Sequence, residues 1–181
     1  MANILRTLLG FFLITFVFSG TAAQAFDPHS DVIRTQRFSD IPALVSSSDV
    51  IGVCQVGAIV TSFPTPHAAG RGKLVNTVQR VRLERLFKGR AGAVNVLLTG
   101  VEPLPVPPSP LNDIYTGPLA EGRYICFLKK LPNTPYYSLN GGWAGVYPIV
   151  NGRTVALASI GIPRLGGLTT EAFYRALQPY L

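Results

Sequence analysis

Residues 73–87 read Lys73-Leu74-Val75-Asn76-Thr77-Val78-Gln79-Arg80-Val81-Arg82-Leu83-Glu84-Arg85-Leu86-Phe87. Val75, Thr77, Val81, Leu83 and Phe87 fall on one parity and Asn76, Arg80, Arg82 and Glu84 on the other. A period of two means a strand whose two faces meet different surroundings, so this segment is expected to be half-solvated. Gly89 and Gly92 punctuate residues 88–92 as a turn, and residues 93–99 resume a strand pattern, so the two segments predict an antiparallel hairpin.

On the N-terminal side, residues 49–63 are rich in Val and Ile without helical spacing, which predicts a strand buried on both faces, ended by Pro64, Pro66 and Gly70. Before it, Ser39 reads as the cap of a short helix through Ile41, Leu44 and Val45, with Pro42 in its first turn. Residues 26–38 read as polar and irregular. On the C-terminal side, Pro103, Pro105, Pro107, Pro108, Pro110 and Pro118 exclude residues 100–118 from a sheet interior and predict an extended surface loop. Strands are expected at 123–130, 136–139, 143–150 and 153–159, the last two joined by a tight hairpin at Asn151-Gly152. Thr169 or Thr170 caps a final helix, 169–180, with Phe173, Ala176, Leu177 and Tyr180 in one apolar stripe. The expected fold is therefore mostly β with a short helix at each end, either a small barrel of five to seven strands or a sandwich.

The first 25 residues have the layout of a secretory signal peptide. Arg6 precedes an apolar run, residues 8–18, and Ala23-Gln24-Ala25 supplies the small-x-small pattern before Phe26. The run is too short for a membrane-spanning helix, which takes about 20 residues. The chain is thus expected to be exported to the periplasm or secreted, with residues 26–181 as one domain and no transmembrane segment in it. Without Arg6 there remain 15 basic and 9 acidic residues, a net charge of +6. After export the partners matching that balance are anionic glycans or lipids and proteins of the envelope, and not nucleic acid. Cys54 and Cys126 lie in separate strand-like runs and in an oxidising compartment either form a bridge or remain two buried thiols.

Ser48-Asp49-Val50-Ile51-Gly52-Val53, residues 81–86 leading into Phe87-Lys88-Gly89, and Glu121-Gly122-Arg123-Tyr124-Ile125-Cys126-Phe127-Leu128 together resemble the OB-type barrel of tissue inhibitors of metalloproteinases and netrin-like modules, in particular bacterial exported domains of that pattern. The resemblance spans residues 48–150. It implies a five-stranded barrel with the C-terminal helix packed on it. The inhibitors' chemistry does not carry over: they grip a protease zinc with an N-terminal cysteine, whereas the expected mature terminus here is Phe26-Asp27, and the usual family disulfides are missing.

For function, the densest feature is basic. Arg71, Lys73, Arg80, Arg82, Arg85, Lys88 and Arg90 fall within twenty residues that hold one acid, Glu84. Such a hairpin either presents a positive face to a polyanion or forms a solvated strand edge that blocks pairing with other chains. Trp143 either packs against the barrel end or serves as an exposed contact, and Tyr136, Tyr137 and Tyr147 would join it in an aromatic patch. No catalytic residue, metal site or cofactor is assigned. His29 and His67 are the only histidines, Asp27-His29-Asp31 is a weak cation pattern, and Gly-x-Ser-x-Gly is absent. The expectation is a non-enzymatic binding or envelope domain, with anionic glycan or lipid binding by residues 71–90 and an unrecognised hydrolase as the alternatives.

Overall fold

The computed structural model describes residues 25–38 and 40–181. The expected signal peptide, apart from Ala25, and Ser39 lie outside the described residues. Seven strands and three short α-helices follow in the order α1 (Ile41–Ser46), β1 (Val50–Ala69), β2 (Gly72–Lys88), β3 (Ala93–Glu102), α2 (Leu111–Ile114), β4 (Gly122–Lys130), β5 (Tyr136–Leu139), β6 (Val146–Val150), β7 (Arg153–Thr154) and α3 (Thr170–Leu177). Five of the strands close a ring in the order β1-β2-β3-β5-β4 and back to β1. Every contact in the ring is antiparallel except β3 with β5, where Asn95 faces Tyr136 and Val96 faces Tyr137 in parallel register. β4 is shared lengthwise: Leu128 to Lys130 pair with β5, whereas Tyr124 to Cys126 pair with β6.

Alternation along the strands explains the two cores. Val50, Cys54 and Val56 of β1, with Cys126 and Leu128 of β4, point into the barrel and meet Val81, Val96, Leu98 and Leu139. Ile51, Val53, Ile125 and Phe127, on the opposite parity, point outward and are covered by Leu44 and Val45 of α1 and Phe173 and Leu177 of α3. Phe127, Tyr147 and Phe173 make edge and tilted ring contacts there, with centroids 5.3–6.2 Å apart. The start of β1 is therefore buried on both faces, as its composition predicts. Cys54 and Cys126 are joined by a disulfide inside the barrel. They sit diagonally across the β1–β4 ladder, since Cys54 faces Tyr124 and Cys126 faces Gly52.

Several local expectations are corrected. Asp40 caps α1, its carboxylate accepting from the Ala43 N–H at 2.8 Å. β1 runs through Pro64 and Pro66 to Ala69, and its burial on both faces lapses after Val56, where the β4 pairing ends and Ile59 and Val60 become exposed. Prolines are tolerated there because that edge of β1 has no strand neighbour needing its N–H groups. β2 alternates only from Arg80 onward, because Leu74 to Gln79 are buried on both sides. Gly142–Gly145 form a 3₁₀ turn before β6, and β7 lasts two residues. The β6–β7 turn needs left-handed backbone at Asn151 (φ 51°) and Gly152 (φ 74°), which that residue pair supplies. Thr169 caps α3, and the stripe is buried at Phe173 and Leu177, while Tyr180 lies in a 3₁₀ turn beyond the helix and is exposed. The loop after β3 contains the one-turn helix α2, and Leu104 and Val106 stand out from its proline-rich part.

What covers β2 is the segment 26–36, irregular as its composition suggests but firmly held. Ile33 N–H donates to the Thr99 hydroxyl at 2.7 Å, Thr35 N–H to the Ile114 carbonyl at 2.7 Å, and Gln36 N–H to the Gly141 carbonyl at 3.1 Å. The fully buried Asn76 amide donates to the carbonyls of Pro28 and Asp31, both at 2.7 Å, and its carbonyl oxygen accepts from the Thr99 hydroxyl at 2.5 Å. Phe26 and Ile33 pack onto Val78, Leu97 and Leu131. The polar parity of β2 thus faces this strap rather than water over its first half.

Candidate functional site

The seven clustered cations do not form one face. Arg71 and Lys73 sit at the β1–β2 turn, and Lys88 and Arg90 at the opposite end of β2. Three of the seven are engaged within the fold. Arg82 pairs with Glu84 at 3.2 Å, and Glu84 also receives Arg123 at 2.9 Å. Arg85 pairs with Glu171 at 2.7 Å and lies over the rings of Phe87 and Tyr174, tying β2 to the first turn of α3. Hydrogen bonding by Arg85, and then its charge, holds the Glu171 carboxyl below the usual range. Lys88 donates to the Val45 carbonyl at 2.7 Å, at the last turn of α1, where a cation is favoured.

The side chains of Arg71, Lys73, Arg80 and Arg90 make no ion pair or hydrogen bond among the described residues. Arg80 and Arg90 share a cleft of about 360 Å³ with Asn95, Pro135 and Tyr137, and no acid lines it. The fold assembles it from five places. Arg80 stands on the exposed parity of β2, opposite Asn95 on β3. Arg90 comes from the β2–β3 turn, Pro135 from the β4–β5 turn, and Tyr137 from β5, which reaches β3 through the parallel pairing. Lys130, on β4, places its ammonium 4.6 Å from the centre of the Tyr137 ring. Three cations therefore gather around one half-buried phenol. Two unpaired guanidinium groups offer forked donors matched to phosphate, sulfate or carboxylate oxygens, Asn95 adds an amide, and Tyr137 a ring edge and hydroxyl. On the other side of Arg80, a shallow groove of about 490 Å³ runs along Ile59, Val60 and Arg82.

The other candidates go elsewhere. Trp143 is half-buried and its indole N–H donates to the Asn112 carbonyl at 2.6 Å, so it fastens the proline-rich loop to the barrel end. The aromatic patch is not formed: Tyr147 is core, its hydroxyl accepting from Ile162 N–H at 3.2 Å, Tyr136 packs against Phe63, and Tyr137 lies in the cleft. The Asp27 carboxylate accepts from His29 N–H and the Ser30 hydroxyl, which lower its pKa, so the segment 27–31 closes on itself. His29 stacks edgewise on Phe63, and the His67 ring Nε2 lies 2.7 Å from the Ser30 carbonyl. No group of three or more His, Cys, Asp or Glu side chains placed to hold a metal occurs among the described residues. No helix among them is long and apolar enough to cross a membrane.

Arg80 and Arg90 were within the basic run, but Asn95, Lys130, Pro135 and Tyr137 carry no sequence signal linking them to it. Only closure of the ring brings them together. Comparison with protein-family models, with curated proteins and with solved structures found no match to this chain.

Proposed function

We propose that the chain is an exported, non-enzymatic binding domain of the envelope, processed at Ala25, and that the cleft of Arg80, Arg90, Asn95 and Tyr137 holds a negatively charged group of a glycan or lipid. The observation carrying this reading is that Arg80 and Arg90 converge on one acid-free cleft without ion-pair partners, while Arg82, Arg85 and Lys88 beside them in sequence have partners. Each guanidinium is a planar, pre-organised fork, so less side-chain freedom is lost per hydrogen bond formed when an anion arrives. The strand order β1-β2-β3-β5-β4 closing on β1, with β3 and β5 parallel, supports the OB-type reading, and such barrels bind extended ligands on a barrel face. That support is analogy of fold, and the cleft residues supply the chemistry.

The test is retention of envelope components by the tagged chain, residues 26–181, at low and moderate salt, beside an R80A/R90A variant. An anionic glycan or lipid retained at low salt, reduced at moderate salt and absent with R80A/R90A supports the reading. A protein retained at both salts by both forms contradicts it.

A further inference from the structure

The most exposed large apolar side chains described are Leu104, 78% exposed, and Val106, 82% exposed. Both project from the proline-rich loop, far along β2 from the cleft. Isolated exposed apolar residues are ordinary, but these two alternate with Pro103, Pro105 and Pro107 and so form one apolar tip. The tip is stiff. Prolines fix its backbone dihedrals, and the Asn112 amide donates to the Pro105 carbonyl at 3.3 Å, across a hollow that Val101, Tyr115 and Trp143 line behind it. Stiffness means that burying the tip costs little conformational entropy.

Charge surrounds it unevenly. Arg71, which has no partner, lines the same surface hollow as Leu104 and Val106. Lys73 follows on β2, opposite Glu102 in register but with no ion pair to it. Arg34 lies 5.9 Å over the ring of Tyr115, beneath the loop. Glu102 and Asp113 are the acids nearby, so the end of the molecule carries three cations against two acids. A stiff apolar tip with Arg71 and Lys73 on one flank matches a bilayer surface: the side chains enter the acyl boundary while these cations meet anionic head groups.

We propose that the tip at Leu104 and Val106, flanked by Arg71 and Lys73, docks the domain on an anionic lipid bilayer, peripherally and without spanning it. This goes beyond the cleft and does not depend on it. Trp143 is the only tryptophan and forms part of the hollow directly behind Leu104 and Pro105, so it reports on the tip.

The experiment is sedimentation of the chain, residues 26–181, with vesicles of phosphatidylcholine and of phosphatidylcholine containing about one-third phosphatidylglycerol, read together with Trp143 emission. Wild type is expected to sediment with the anionic vesicles and to shift its emission to the blue. L104D/V106D is expected to weaken binding by about tenfold or more at low salt, because two apolar side chains are replaced by charges. R71E/K73E is expected to weaken it on anionic vesicles and to leave the weak binding to neutral ones unchanged. All these positions are exposed, so unchanged circular dichroism and melting establish that the variants fold. Failure of wild type to bind anionic vesicles, or L104D/V106D binding as tightly as wild type, overturns the proposal. Loss with R80E/R90E alone also overturns it, while leaving the cleft as the lipid site.

Discussion

Seven cations that look alike along residues 71–90 acquire separate roles from the carboxylates and carbonyls the fold places beside them. Lys88 is structural, and Lys88→Met is expected to cost about 1 kcal/mol in urea unfolding, because two carbonyls at the end of α1 lose a charged donor. R80A and R90A, removing exposed side chains with no partners, are expected to shift stability by no more than about 0.5 kcal/mol while weakening anion binding. Tyr147 shows the same dependence on surroundings. Burial pushes its hydroxyl up to about 12, partly offset by the Ile162 N–H. A phenol whose folded pKa exceeds its unfolded value contributes stability that is complete below about pH 10 and lost as the pH climbs towards the folded value. Y147F should therefore cost about 1–2 kcal/mol at pH 7, by stranding the Ile162 donor, and flatten the loss of stability between pH 10 and 12, leaving a slope from Tyr124, which burial also raises. Urea midpoints across that pH range check both parts. Of this distinction among the cations only the Arg82–Glu84 pair is local in sequence, and the rest was not legible there, since it rests on Glu171 and Val45, which are distant in the chain from their partners.

At the scale of elements, sequence patterning located most strands and the N-cap of α3, and erred where a distant segment covers a face. Residues 73–87 carry a period of two, yet Asn76 and Gln79 are buried because the strap 26–36 and the loop before β4 supply their hydrogen bonds. Gln79 donates to the carbonyls of Gly57 and Leu119 and accepts from Leu119 N–H. Asn76, on the parity read as solvent-facing, is instead an anchor, as is Gln79 on the other parity. N76A removes two donors to the strap and the acceptor of the Thr99 hydroxyl, so it is expected to cost about 2–3 kcal/mol and to open residues 26–36 to limited proteolysis before the barrel is cut. Cleavage of strap and barrel at equal rates would show that the strap is not a separate, Asn76-dependent layer. The prolines at 64 and 66 misled for a related reason: they forbid a central strand, but β1 has become an edge by that point.

For the whole molecule, composition and alternation suffice for a mostly β fold with a terminal helix, a small barrel or a sandwich, whereas closure of the ring does not follow from either. It depends on the parallel contact of β3 with β5 and on β4 dividing itself between β5 and β6, pairings that no local pattern encodes. The disulfide across β1 and β4 reinforces that closure. With its cysteines 72 positions apart in the chain, its removal by C54A/C126A is expected to lower stability by about 4 kcal/mol in the chain-entropy model, measured as the shift in urea midpoint. The same closure assembles the anion cleft from β2, β3, β5 and two turns, so the account stands or falls on whether those residues bind as a unit. The most direct measurement is calorimetric titration of wild type and R80A/R90A with a soluble sulfated oligosaccharide and with its unsulfated counterpart, at two salt concentrations. The account predicts binding of the sulfated form only, weakened by salt, and loss of about tenfold or more in R80A/R90A with an unchanged melting temperature. Equal binding of both sugars by wild type, or a variant that binds as wild type does, would contradict it.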